Sequence, residues 1–82
     1  AEVIYVDHYG NAVTNLPGEH TAEVRTVRVG RRSVPVKRTY ADVPVGRPVA
    51  LVGSSGLLEV AVRNGNAARK LHLNVGSRIR LM

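Results

Sequence analysis

The stretch LLEVAVR, residues 57–63, decides how the rest of the chain is read. Its apolar residues repeat with a period of two, so an extended strand places Leu58, Val60 and Val62 on one face and Leu57, Glu59, Ala61 and Arg63 on the other. The first face is wholly apolar and is expected in the core. The second carries a carboxylate and a guanidinium, so it faces either solvent or a ligand.

Similar strand signals extend in both directions. Upstream, Gly53-Ser54-Ser55-Gly56 makes a tight connector to a strand over residues 49–52, after a loop rich in proline and glycine at residues 42–48. Residues 22–29 and 32–39 alternate apolar with charged residues around a Gly30-Arg31 hairpin turn. A bulge between Val24 and Val27 would bring the first of these strands into phase, and Pro35 makes the second either a sheet edge or itself irregular. Val3-Ile4-Tyr5-Val6 reads as the first strand, residues 11–15 as the second and residues 77–81 as the last. Residues 66–73 alone look helical, with Asn66 as N-cap. Six or seven short strands at about ten-residue spacing, with one short helix, predict an all-β fold: a closed or nearly closed β-barrel.

With 82 residues, the chain is expected to form one domain over 1–82. It has no cysteine, which excludes disulfides and thiolate metal sites and fits a cytoplasmic setting. His8, His20 and His72 have no metal-ligand spacing, so no metal and no cofactor are expected. No stretch has the length or apolar character of a membrane span. Ten arginines and two lysines against six acids give a net charge of +6, which admits a small basic β-barrel that binds RNA. The scarcity of stacking platforms, three tyrosines with no Phe or Trp, speaks against nucleic acid.

Ser54 and Ser55 do not form a nucleophile elbow, because the chain continues into a strand rather than a helix. Their glycine-flanked turn offers hydroxyls and main-chain N–H groups to an anionic group. The segment DHYGNAVTN, residues 7–15, is more informative. Asp7, Gly10, Asn11 and Asn15 are turn formers, yet Tyr9 is costly in a turn unless it packs on something, and the Asn11 amide matches a purine edge.

Three segments together resemble one family. Residues 7–15 are similar to the Asp-x-Phe-Gly-Asn-x-x-Thr-Asn signature of the C-terminal domain of the S-adenosyl-L-methionine hydroxide adenosyltransferases (SAM hydrolases), relatives of bacterial fluorinase and chlorinase. Residues 39–62, TYADVPVGRPVALVGSSGLLEVAV, and residues 64–79, NGNAARKLHLNVGSRI, look like that domain's later signatures. The resemblance implies a β-barrel C-terminal domain of a longer two-domain enzyme. It further implies a homotrimer in which S-adenosylmethionine lies between this domain and the α/β N-terminal domain of a neighbouring subunit. The reaction implied is cleavage of S-adenosylmethionine by water or hydroxide to adenosine and L-methionine. The water-activating Asp, Arg and His of that family belong to the N-terminal domain, so the 82 residues alone are expected to be catalytically silent.

Carried onto this sequence, the resemblance makes Asn11 a partner of the adenine edge and Tyr9 and Tyr40 walls for its ring. Ser54 and Ser55 would contact the methionine end, Glu59 the α-ammonium or sulfonium, and the main chain of Val62, Arg63 and Asn64 the adenine. Tyr9 replaces the usual phenylalanine and Arg63 a common asparagine. Ser55 and the absence of a long insertion favour the hydroxide branch over the halide branch.

Overall fold

The alternation in residues 57–63 becomes the strand that the other elements are built around. In the computed structural model, which describes all 82 residues, the strands are β1 (Val3–Val6), β2 (Ala12–Pro17), β3 (Thr26–Val29), β4 (Arg32–Pro35), β5 (Pro48–Val52), β6 (Leu57–Val62) and β7 (Arg80–Leu81). One helix, α1 (Ala67–Lys70), lies between β6 and β7, and single 3-10 turns cover Gly18–His20 and Tyr40–Asp42. The strands form two antiparallel sheets, ordered β1-β2-β6-β5 and β4-β3-β7.

Neither sheet closes into a barrel, so the closed form expected from strand spacing is not what the pairing gives. The sheets meet at two seams, each with one isolated bridge: Val36 with Ala50 between the ends of β4 and β5, and Glu2 with Arg78 between the ends of β1 and β7. Lys37 N–H donates to Ala50 C=O at 2.9 Å across the first seam. Val3 N–H donates to Ser77 C=O at 2.8 Å across the second.

Leu58, Val60 and Val62 join Val3, Ala12, Val27, Val34, Ile79 and others in one core between the sheets. The opposite face of β6 is covered as well. Ala61 packs with Val43, Val49 and Leu51 in a second, smaller cluster. The β2–β6 register is interrupted after Val13, and there the buried Thr14 hydroxyl donates to Leu58 C=O at 2.8 Å.

Several expected boundaries shift. β3 starts at Thr26 and pairs with β4 in unbroken register, so no bulge is needed; residues 22–25 instead follow a turn in which Val24 N–H donates to Thr21 C=O. Val24 still reaches the core from that loop. β4 stops at Pro35 because the chain then crosses to β5 at Val36, and β4 is the sheet edge that Pro35 requires. β2 begins at Ala12 and runs through Pro17, whose missing N–H is tolerated at the strand end. The helix spans four residues rather than eight. Leu73 N–H returns to Ala68 C=O over His72, which has a left-handed φ of 55°, and this Schellman-type stop carries Leu73 into the core. Of residues 77–81, only Arg80 and Leu81 pair with β3, because Ser77 to Ile79 bond the N-terminal segment.

α1 also anchors the loop between β1 and β2. Ala68 N–H donates to Gly10 C=O at 2.8 Å, and Gly10 has φ +84°. A Cβ added there would lie 2.1 Å from the Asn66 side chain, the N-cap of α1. Gly10→Ala is therefore expected to lower the unfolding free energy by about 2 kcal/mol or more, from backbone strain and displacement of the cap together. Urea denaturation measures this, and a change below about 0.5 kcal/mol would be the size of an ordinary surface substitution.

Candidate functional site

Three loops meet at one end of the four-stranded sheet. The first, residues 7–11, is organised by Asp7, whose Oδ1 accepts the main-chain N–H groups of Tyr9 and Asn11, each at 2.9 Å. This is an Asx-type turn, the use of aspartate that its position before Gly10 suggests. The second is the Tyr40–Asp42 turn, fixed by a capping box: Ala41 N–H donates to Thr39 Oγ1 at 2.8 Å and Thr39 N–H to Asp42 Oδ2 at 3.2 Å. The third, residues 62–65, leaves β6 through Asn64, which has φ 57°.

Between them lies an open cleft of about 530 Å³ lined by Tyr9, Asn11, Thr39, Tyr40, Ala41, Val62, Arg63, Asn64 and Gly65. Five of the eight residues singled out in the sequence thus share one cavity: Tyr9, Asn11, Tyr40, Val62 and Arg63. Tyr9 is 74% exposed, with His8 edge-on to its ring at 5.5 Å, so a face of the ring is free. Tyr40 is 39% exposed and its hydroxyl accepts from Asn11 Nδ2 at 3.4 Å.

Glu59, Ser54 and Ser55 are not in that lining. Glu59 is 8% exposed and stands opposite Val13 and Leu51, its carboxylate lying over Gly53, where an added Cβ would be 1.6 Å from Oε2. The serine turn that begins at Gly53 is therefore tied to Glu59, while Ser54 and Ser55 themselves are exposed. Burial, and then the Asp7 carboxylate, push the Glu59 carboxyl above the usual carboxylate range. Burial, followed by the charges of Glu59 and Asp7, also raises the Tyr40 phenol, against the opposing hydrogen bond from Asn11. Glu59, Asp7 and Tyr40 are thus electrostatically linked, and the site is locally acidic in a chain of net charge +6.

Arg63 lines the cleft and is also bonded within the chain. Its Nη1 donates to Val43 C=O at 2.8 Å, its N–H to Arg47 C=O and its C=O accepts from Gly46 N–H, so it braces the loop before β5. Val62 C=O is taken by Gly65 N–H, whereas Asn64 makes no main-chain hydrogen bond and leaves both groups to the cleft. Thr39 was not marked by the sequence, whereas Asn64 was marked for its main chain, in keeping with the left-handed backbone that an asparagine tolerates. No cluster of three or more His, Cys, Asp or Glu side chains is spaced to hold a metal ion.

The raised Glu59 carboxyl has a definite effect on stability. A carboxyl whose folded value lies above its unfolded value of about 4.3 favours folding when protonated, and that contribution is lost as pH rises through the folded value. Glu59→Gln is therefore expected to melt higher than the parent at pH 7, the gap closing below about pH 4. Thermal melts across that range check it; a lower melting temperature at pH 7 would mean the charge is compensated.

The sequence profile of the SAM hydroxide adenosyltransferase C-terminal domain matches residues 1–80. The chain is 48% identical over 81 residues to the (R)-S-adenosyl-L-methionine hydrolase of Thermus thermophilus and 38% identical over 82 residues to the protein of that name from Salinispora arenicola. Each alignment covers 99% of this chain and 31% of the relative. Among solved structures, a conserved hypothetical protein from Thermus thermophilus superposes with a TM-score of 0.88 at 50% identity, covering 99% of this chain and 34% of that one. An uncharacterized conserved protein from Thermotoga maritima superposes at 0.83 with 32% identity, covering 99% and 35%. The chain spans about a third of the length of the relatives it matches.

Proposed function

The chain belongs to the SAM hydroxide adenosyltransferase C-terminal domain family, and from that premise we propose that it supplies the nucleoside-gripping wall of an enzyme that cleaves S-adenosyl-L-methionine with water or hydroxide to adenosine and L-methionine. The observation that carries this reading is the convergence of two tyrosine rings, a free amide oxygen and the unpaired main-chain groups of Asn64 on one cleft. In the reaction, the attacking oxygen bonds to the ribose C5′ as the C5′–S bond breaks. The bonding pair leaves with sulfur, which becomes a neutral thioether, and the proton of the attacking water goes to a base that this chain does not contain.

Each residue then has a physical task. Tyr9 and Tyr40 flank the adenine, and a ring stacked on an aromatic face contributes roughly 1–3 kcal/mol. Asn11 and the Asn64 main chain read the purine edge. Glu59 suits the α-ammonium better than the sulfonium, since sulfur loses its charge as the reaction proceeds and a carboxylate against it would stabilise the ground state more than the transition state. The ammonium keeps its charge, so Glu59 can hold it throughout. Ser54 and Ser55, on the turn next to Glu59, are placed in this reading against the methionine carboxylate.

The open side of the cleft needs a second wall, for which we infer an α/β N-terminal domain from a neighbouring subunit of a homotrimer, working in the cytoplasm. A second reading, a basic module that binds RNA, draws on the cavity of about 890 Å³ lined by Arg25, Lys37 and Arg38 with Asp42 as its acid. None of the three tyrosines lies there, which leaves such a groove without a stacking platform.

The test is release of adenosine and methionine from S-adenosylmethionine by the complete protein. No turnover, with salt-sensitive RNA binding instead, favours the second reading. Within the first reading, Asn11→Ala is expected to weaken adenosine binding by about 1–3 kcal/mol with the fold retained, as calorimetry would measure; unchanged affinity would remove Asn11 from the site.

A further inference from the structure

Asp7 stands behind Asn11, outside the cleft lining, and both its carboxylate oxygens are occupied. Oδ1 accepts the main-chain N–H groups of Tyr9 and Asn11, and Oδ2 accepts one hydrogen of the Asn11 side-chain Nδ2 at 3.2 Å. An ionised carboxylate has nothing to donate, so it takes only the NH2 end of the amide. The second Nδ2 hydrogen goes to the Tyr40 hydroxyl at 3.4 Å, a long contact that a better acceptor can displace. Asn11 Oδ1 has no donor within the chain. A ligand entering the cleft therefore meets an acceptor at one amide position and a loosely held N–H at the other.

On the premise that the cleft holds a purine nucleoside, we propose that Asp7 is a positioning residue that locks the Asn11 amide with its oxygen toward the ligand, making the cleft selective for 6-aminopurines over 6-oxopurines. A 6-amino group donates to Oδ1 while the purine N1 takes the N–H released by Tyr40, a two-point pattern on the Watson–Crick edge of the base. A 6-oxopurine carries a hydrogen on N1 and sets it against the amide N–H, donor against donor, and its oxygen against Oδ1, acceptor against acceptor. An unrestrained asparagine would relieve this by turning its amide over. Here that turn brings Oδ1 against the charged Asp7 Oδ2, so the penalty is moved and not removed. Tyr40 cannot provide the lock, because a hydroxyl both donates and accepts and would follow the amide either way.

Asp7→Asn separates this role from support of the turn. The new side-chain oxygen still accepts the Tyr9 and Asn11 main-chain N–H groups, while the new NH2 faces Asn11 and favours the turned-over amide. Calorimetric Kd values for adenosine and inosine, taken on the complete protein and on Asp7→Asn, decide the matter. The parent is expected to prefer adenosine by at least about tenfold, and the variant to lose about tenfold of that preference or reverse it. Equal weakening of both nucleosides in the variant, or an unchanged ratio, overturns the proposal, since support of the turn alone predicts either result. A parent that binds inosine as tightly as adenosine also overturns it, a comparison that needs no variant to fold. A parent that binds neither nucleoside removes the nucleoside reading of the cleft as well, which distinguishes the two failures.

Discussion

Both faces of β6 are covered, so the carboxylate of Glu59 lies in a strand that has no solvent side, and the surroundings of the site follow from accommodating it. On one face Leu58, Val60 and Val62 fill the space between the two sheets. On the other, Ala61 meets Val43, Val49 and Leu51, and the next outward position toward the serine turn is the carboxylate. A buried charge is costly unless paired or hydrogen-bonded. Here the space is made by the absence of a side chain at Gly53, and the charge stands near a second acid and a phenol. That arrangement resists folding slightly at neutral pH and suits a site that receives a cation, which is the usual direction of a trade between stability and function.

The cleft is assembled from segments far apart in the chain, and each is secured by its own local chemistry. Asp7 shapes the first loop, the Thr39 and Asp42 pair shapes the second, and the Arg63 side chain ties the third to the segment before β5. Helix α1, only four residues long, contributes by its start: its N-cap Asn66 fills the space under Gly10, and its Ala68 N–H holds Gly10 C=O. The recognition groups therefore rest on a frame of hydrogen bonds that is present without a ligand, which lowers the ordering cost of binding.

Much of the fold was legible where burial imposes a strict period. β1, β6 and the β3–β4 turn fall where alternation and Gly30 put them, and Pro35 marks an edge correctly. What escaped were the ends. Residues 22–25 and 36–39 alternate like strands but make only single contacts, Val36 N–H to Arg25 C=O and Lys37 N–H to Ala50 C=O, because the chain is turning between sheets, and local sequence carries no record of where a ladder stops. At the site, Tyr9 stood out as a ring a turn does not need and Asn11 as an amide that matches a purine edge, whereas Tyr40 was marked only through the family resemblance. The bond from the Arg63 side chain to Val43 C=O was not legible, since a long side chain can reach a carbonyl twenty residues away in sequence as readily as a ligand. The direction in which the Asn11 amide points was beyond any sequence reading, because it depends on which groups Asp7 happens to accept from.

The two seams give the molecule a grain. Within each sheet the strands are laced by ladders of two to five residue pairs, with register shifts in β1–β2 and β2–β6, whereas each seam has a single isolated bridge and a few neighbouring bonds. Loosening would begin along these lines, parting the β4-β3-β7 ribbon from the rest as a unit while the sheet that carries the cleft stays laced. The three-stranded ribbon is in that sense a detachable cover over the core, and most of the positive charge of the chain is on or beside it: Arg25, Arg28, Arg31, Arg32, Lys37, Arg38, Arg78 and Arg80. Mutual repulsion among those cations strains the cover from outside, so dissolved salt, by screening it, would tighten strands that contribute nothing to the lining of the cleft.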